Sequence, residues 1–272
     1  GNVVHTEGNA FEAIVKFPTD HMPDASHSPD TDWFARWFDT PFYHLLYSHR
    51  DEAEAQAFLE TLVDHLDLEP GTRILDLACG QGRHARTLAA MGFDVTGIDL
   101  SARNIERASE HSGPSLRFEQ GDMRDDLGSE RFDVVMNLFT SFGYFESEDQ
   151  NEQVLRRVYD ALVPGGRLVI DFLNVFKTAV QLRPRETVTR DGVEFLIKRS
   201  LQGKHIVKDI EFMHEKRLQT YQERVQGLNP DDFKRLFKST GFVQDEVFGN
   251  YALDYYSKNT SDRLILVAHK PV

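Results

Sequence analysis

The chain has one cysteine in 272 residues. A disulfide needs two cysteines and a four-thiolate metal site needs four, so neither can form within it. Apolar runs are equally scarce. None approaches the roughly 18 residues that make a membrane-spanning helix, which predicts no membrane span. Basic residues are outnumbered, 31 Lys and Arg against 44 Asp and Glu, leaving a net charge of −13. A protein that grips a phosphate backbone needs clustered cations. Here the densest groups are pairs such as Arg156-Arg157 and Lys198-Arg199, which argues against nucleic acid as a partner. Gly1-Asn2-Val3-Val4-His5 has neither the basic start nor the apolar stretch of a secretion signal, so the expected location is cytoplasmic.

Apolar material is plentiful by contrast. A hydrophobic fraction of 40% with 20 Phe suits a folded core, and the length suits one large domain or one with an inserted lobe. Residues 1–30 mix His, Asp, Pro and Ser without period and are expected to form a mobile arm. Residues 31–68 read as a helical N-terminal cap. Trp33, Phe34, Trp37 and Phe38 recur at helical spacing, and Asp51 with Glu54 resembles the capping box of a helix carrying Phe58, Leu62, Val63 and Leu66.

From 69 to 174 the pattern becomes α/β. Strands are predicted at Arg73–Ala78, Asp94–Ile98, Leu116–Gln120, Phe132–Leu138 and Arg167–Phe172, with helical stretches between them. That order implies a mostly parallel sheet covered by helices on both faces. Residues 175–228 alternate in polarity and break at Asp191-Gly192 and Gln202-Gly203, which predicts a small antiparallel β-meander acting as a lid. One face would carry Ile206, Ile210 and, with a slip in register, Phe212. Residues 229–272 give a helix capped by Asn229, with Pro230 first and Gly241 past its end, then strands near Val243–Tyr251 and Arg263–His269.

Chemistry concentrates at the predicted strand ends. Ile74-Leu75-Asp76-Leu77-Ala78-Cys79-Gly80-Gln81-Gly82-Arg83 runs from a strand into a helix. Glycines let that loop turn tightly, and the helix N-terminus behind it offers unpaired N–H groups. The second strand ends at Asp99, whose carboxylate can take both hydroxyls of a ribose. The third ends in Gly121-Asp122-Met123, where Asp122 can accept an adenine amino group and Met123 can pack on the ring. Three acids closing three consecutive strands describe a nucleoside cleft. Gly80, Gly82 and Ala85 also match the dinucleotide fingerprint. A carboxylate at Asp76 would repel a pyrophosphate, however, and would attract the ammonium of a methionine moiety.

Taken together with Pro164-Gly165-Gly166, these motifs resemble a class I S-adenosylmethionine-dependent methyltransferase, in order over roughly residues 40–272. Tyr43-His44-Leu45-Leu46-Tyr47-Ser48-His49-Arg50 and Ser141-Phe142-Gly143-Tyr144 narrow the resemblance to small-molecule N-methyltransferases of the amino-sugar and glycine types. The resemblance implies a Rossmann-like fold of seven mostly parallel strands in the order 3-2-1-4-5-7-6, with strand 7 antiparallel. It implies S-adenosylmethionine as cofactor, no metal, and a small-molecule acceptor, most often an amine. Gly80 and Gly82, with Asp76 and Ala78, would lie against the methionyl part; Ala78 stands where many members have glycine. Asp99 and Leu100 would hold the ribose, and Asp122 and Met123 the adenine. Asn137 and Leu138 would flank the sulfonium, while Tyr47 and Arg50 close from the N-terminal side. Tyr144 and Tyr43 would orient the acceptor. The amino-sugar enzymes carry histidine at the Tyr144 position, so no base is assigned.

Three other readings are open at this stage: an RNA or protein methyltransferase, a cofactor-binding protein without turnover, and a dehydrogenase. An unpaired edge of the meander would favour a homodimer.

Overall fold

Short β-branched runs form the strands, and each helix between them turns one apolar face inward. The structure is a computed structural model that describes residues 33–48 and 52–272. The expected arm at 1–30, the Asp51 cap and Arg50 lie outside the described residues. Two short helices, α1 (Trp33–Phe38) and α2 (Pro41–Leu46), precede α3 (Glu52–His65). The α/β core follows as β1 (Arg73–Leu77), α4 (Arg83–Ala90), β2 (Asp94–Asp99), α5 (Ala102–Ser109), β3 (Leu116–Gln120), β4 (Phe132–Asn137), α6 (Glu148–Ala161) and β5 (Leu162–Leu173). A one-and-a-half-turn helix, α7 (Val175–Val180), leads to a second sheet of β6 (Arg185–Arg190), β7 (Val193–Gln202), β8 (His205–His214) and β9 (Arg217–Gln226). The chain closes with α8 (Pro230–Thr240), β10 (Val243–Phe248) and β11 (Arg263–His269).

The main sheet runs β3-β2-β1-β4-β5-β11-β10. Strands β3 to β5 are parallel, while β11 is antiparallel to both β5 and β10. This is the expected 3-2-1-4-5-7-6 order of a class I methyltransferase fold. Strand order reverses between β1 and β4, so their carboxyl ends open a crevice where open α/β sheets take ligands. Local chemistry fixes the helix starts. Ser101 accepts the Asn104 N–H at the start of α5, and Asn229 forms a capping box with Asp232 in front of Pro230. Gly241 takes φ +92° and stops α8.

The second sheet is the expected antiparallel meander, with one correction. Phe212 needs no slip in register: β8 pairs continuously with β7 and β9, so alternation alone puts Ile206, Lys208, Ile210 and Phe212 on one face. That face packs on the N-terminal helices. The Trp37 ring lies 4.6 Å from Tyr221, and Phe42 lies 4.6 Å from Phe212. No helix among the described residues is long and apolar enough to cross a membrane.

Candidate active site

Asp76 sits one residue before the end of β1 and is 1% exposed. The N–H of Ala85, in the first turn of α4, is directed at its carboxylate. The second oxygen, Oδ2, has no partner. Burial raises this carboxyl to about 7, helped by the neighbouring charge of Asp99. Asp76 is thus poised between acid and anion at neutral pH, rather than being the fixed anion the sequence suggested.

The loop after it folds around Asp99. Ala78 adopts φ +63° and Gly80 φ +57°. The Gly80 N–H donates to Asp99 Oδ2 (2.8 Å), while the Ser101 N–H (2.9 Å) and Asn104 Nδ2 (3.2 Å) donate to Oδ1. The Gly121 N–H bonds the Asp99 carbonyl (3.0 Å), bringing the end of β3 alongside. Asp99 is therefore the hub of three strand-end loops, with Leu100 following it. The glycines divide the work. A side-chain carbon built on Gly80 would have no atom within 4 Å, so its face is open. One built on Gly82 would lie 2.5 Å from the Phe118 ring, so Gly82 serves close packing of α4 on the sheet, not an exposed ligand face. Cys79 is buried behind the loop, and burial pushes its thiol well above the usual range.

Asn137 ends β4 beside β1. Its Nδ2 donates to the Leu77 carbonyl (2.9 Å), and its buried Oδ1 has no partner. Leu138 is buried next to it. Asp122 is engaged by the residue two positions on, to which the sequence reading assigned no role. Arg124 donates Nε (3.0 Å) and its backbone N–H (2.8 Å) to Oδ1, and Nη2 (2.6 Å) to Oδ2. Burial alone would raise Asp122, and the Arg124 contacts more than offset it, holding the carboxyl below its usual range. The Arg124 guanidinium in turn lies over Phe145 (4.8 Å). Met123 packs at the edge of the core.

The N-terminal helices dock beside the Asp99 loop. Ser101 Oγ donates to Asp39 (2.5 Å), and His44 Nε2 pairs with Asn104 Oδ1 (2.8 Å). Tyr43 and Tyr144 come together around Phe38, at ring distances of 4.8 and 5.2 Å. The Tyr144 hydroxyl donates to the Thr140 carbonyl. Tyr47, expected to close over the cofactor, instead sends its hydroxyl to Glu223 of β9 (2.7 Å) and accepts from Lys208 of β8. Its reach is taken up by the second sheet, a partner that lies 161 and 176 residues away and leaves no local sequence signal. Among the described residues, no three His, Cys, Asp or Glu side chains gather as metal ligands would.

These features suit S-adenosylmethionine. Two buried oxygens have no partner, Asp76 Oδ2 on β1 and Asn137 Oδ1 at the end of the adjacent β4, and Gly80 presents its open face in the loop that follows β1. Residues 74–166 match a methyltransferase domain. A glycine/sarcosine N-methyltransferase of Halorhodospira halochloris is 28% identical over 230 residues, covering 80% of this chain and 83% of that one. A dTDP-3-amino-3,4,6-trideoxy-alpha-D-glucopyranose N,N-dimethyltransferase of Streptomyces venezuelae is 31% identical over 131 residues, 47% of this chain and 54% of its own length. The chain thus spans about half of that enzyme. A crystal structure of an S-adenosylmethionine-dependent methyltransferase from Clostridium acetobutylicum superposes with a TM-score of 0.71 at 18% identity, over 88% of this chain and 98% of that one.

Proposed function

We propose that the chain, which carries a methyltransferase domain on the class I methyltransferase fold, is an S-adenosylmethionine-dependent methyltransferase whose acceptor is a small amine. When bound, the cofactor would supply an electrophilic methyl group to the lone pair of the acceptor nitrogen. The chain's part is alignment, which accounts for most acceleration in such displacements. Gly80 leaves room for the methionyl chain, Asp76 and Asn137 offer it acceptors, and Asp99 with Leu100 takes the ribose. Arg124 holds both oxygens of Asp122, which offers its remaining lone pairs to the adenine amino group, and Met123 packs on the ring. Tyr43 and Tyr144 present aromatic edges and faces to the acceptor, a surface favourable to a cationic centre.

The observation that carries this reading is the strand-end cluster at the head of the sheet: Gly80, whose face is open, donates its N–H to Asp99, and the buried Asp76 Oδ2 before it has no partner. Relatives that act on glycine, sarcosine and an amino sugar support an amine acceptor. We assign the second sheet the role of a lid on the acceptor side, since Gln226 of β9 bonds Gly143 and Phe145 in the loop carrying Tyr144. Among the described residues, the outer edges of β6 and β9 have no neighbouring strand, which suits pairing with a second copy. Sedimentation at micromolar concentration reads that pairing.

The primary test is calorimetric titration with S-adenosylmethionine and S-adenosylhomocysteine, comparing wild type with Asp99→Ala. Binding in wild type and at least tenfold weaker binding in the variant are expected, since about 1.4 kcal/mol is lost with a ribose contact of this kind. Thermal unfolding of the variant separates lost contact from lost fold. NAD binding in place of either ligand overturns the reading. Cofactor binding without product on a panel of amines, RNA and protein favours the reading without turnover.

A further inference from the structure

The loop that leaves β4 is bent in a way its own sequence does not favour. Phe139 and Thr140 hold φ of +66° and +61°, two consecutive non-glycine residues in the left-handed region. Asp171 on β5, 1% exposed, holds both in place. The Phe139 N–H donates to its Oδ2 (3.0 Å), and the Thr140 N–H donates to its backbone carbonyl (2.8 Å). Arg263, the first residue of β11, completes the arrangement. Its Nε donates to Asp171 Oδ1 (2.7 Å) and its Nη2 to Thr140 Oγ1 (2.9 Å). Tyr251 adds a hydroxyl donor to Asp171 Oδ2 (3.2 Å). The guanidiniums of Arg83 and Arg263 lie 5.7 and 5.6 Å from the centre of the Phe139 ring.

Buried ion pairs contribute little net stability compared with apolar packing, so this one calls for another role. We propose that Asp171 and Arg263 are positioning residues for methyl transfer. They clamp Phe139-Thr140 in a strained turn, so that Asn137 and Leu138 on one side and Tyr144 on the other face the same cleft. The clamp joins three things that have no local reason to agree. It takes a carboxylate from β5 and a guanidinium from the antiparallel β11, and it acts on a turn after β4. The Tyr144 hydroxyl, bonded to the Thr140 carbonyl, inherits its position from the clamp. This inference rests on the cofactor reading of the cleft given above.

The test uses Asp171→Asn, Thr140→Val and Thr140→Ser in the whole chain, read by amide hydrogen exchange and by S-adenosylhomocysteine affinity. Asp171→Asn is expected to speed exchange at Phe139 and Thr140 about tenfold or more, with the rest of β5 and β11 near wild type. The same variant should weaken S-adenosylhomocysteine several-fold. Thr140→Val, which removes the Arg263 contact alone, should move both readouts in the same direction but less, and Thr140→Ser should restore them. If Asp171→Asn does not fold, the Thr140 pair carries the same comparison. Unchanged exchange at the turn, exchange raised equally across the sheet, or unaltered ligand affinity would each overturn the proposal. Wild-type protein that binds no S-adenosylhomocysteine would overturn the cofactor reading instead, and the exchange of Phe139 and Thr140 would still decide whether the clamp exists.

Discussion

Ala78 holds φ +63° between β1 and Gly80. A side chain in that region costs about 1 kcal/mol, so Ala78→Gly should stabilise the protein by roughly 0.5–1 kcal/mol. Urea unfolding measures the gain. Asp76 makes a prediction with the opposite sense. Its carboxyl is raised to about 7 from an ordinary value of 3.8 by burial. Between those limits the folded state holds a proton that the unfolded state has released, so stability falls as pH rises. The contribution is fully present below about pH 4 and lost as pH passes 7, with a span on the order of 4 kcal/mol. Asp76→Asn should flatten the wild-type decline between pH 5 and 8, as seen in urea midpoints. Residue identity made Asp76, Asp99 and Gly80 legible in the sequence, because each is a functional type at a strand end. It could not show that Gly82 packs on Phe118, nor that Arg124 engages Asp122, because both depend on side-chain direction rather than on spacing.

At the scale of elements, the N-terminal helices and the second sheet meet at a charged centre. Glu223 of β9 accepts from Trp37 Nε1 (2.8 Å) and from Tyr47, and pairs with Lys208 of β8 at 3.0 Å. Burial would raise Glu223, but Lys208 and those donors hold it below its ordinary value of 4.5. Its stabilisation is therefore present above about pH 4.5 and lost as pH falls below that. Lys208→Met leaves the carboxylate uncompensated and should cost about 3 kcal/mol at pH 7. The cost should shrink toward pH 4, where Glu223 of the variant, without Lys208 to keep it ionised, takes up a proton, and paired urea titrations at the two pH values would show it. Element starts and stops with local markers were readable: Ser101, Asn229, Pro230, Gly241 and the Asp191-Gly192 turn. The hairpin at Glu215-Lys216 was not. Its residues take φ of +48° and +63° without glycine or asparagine to announce them. Helix α7 was missed for a similar reason, being six residues long with only Asn174 to cap it.

For the molecule as a whole, the parallel sheet with helices on both faces was legible because alternation of strands and helices leaves few topologies, and the strand order with its antiparallel β11 came from the resemblance alone. What no spacing could supply was the joining of distant pieces: Asp39 to Ser101, Tyr47 to Glu223, and Arg263 to Asp171. The charge of −13 has its own consequence. Fluorescence anisotropy with single- or double-stranded RNA should show binding no tighter than about 10 µM at physiological salt. Tighter binding with a steep salt slope would move the acceptor from small amines to nucleic acid.

Cys79 offers one practical consequence. The only thiol in the chain is sealed beneath the loop, with its Sγ beside Gly97 and its acidity suppressed. Maleimide or disulfide reagents should therefore ignore the folded protein and react only when that loop opens. Cysteines introduced on the surface could be labelled with fluorophores in the otherwise native sequence. The native thiol would then serve as a silent clock, its slow modification timing how often the loop comes apart and how far a bound ligand delays it.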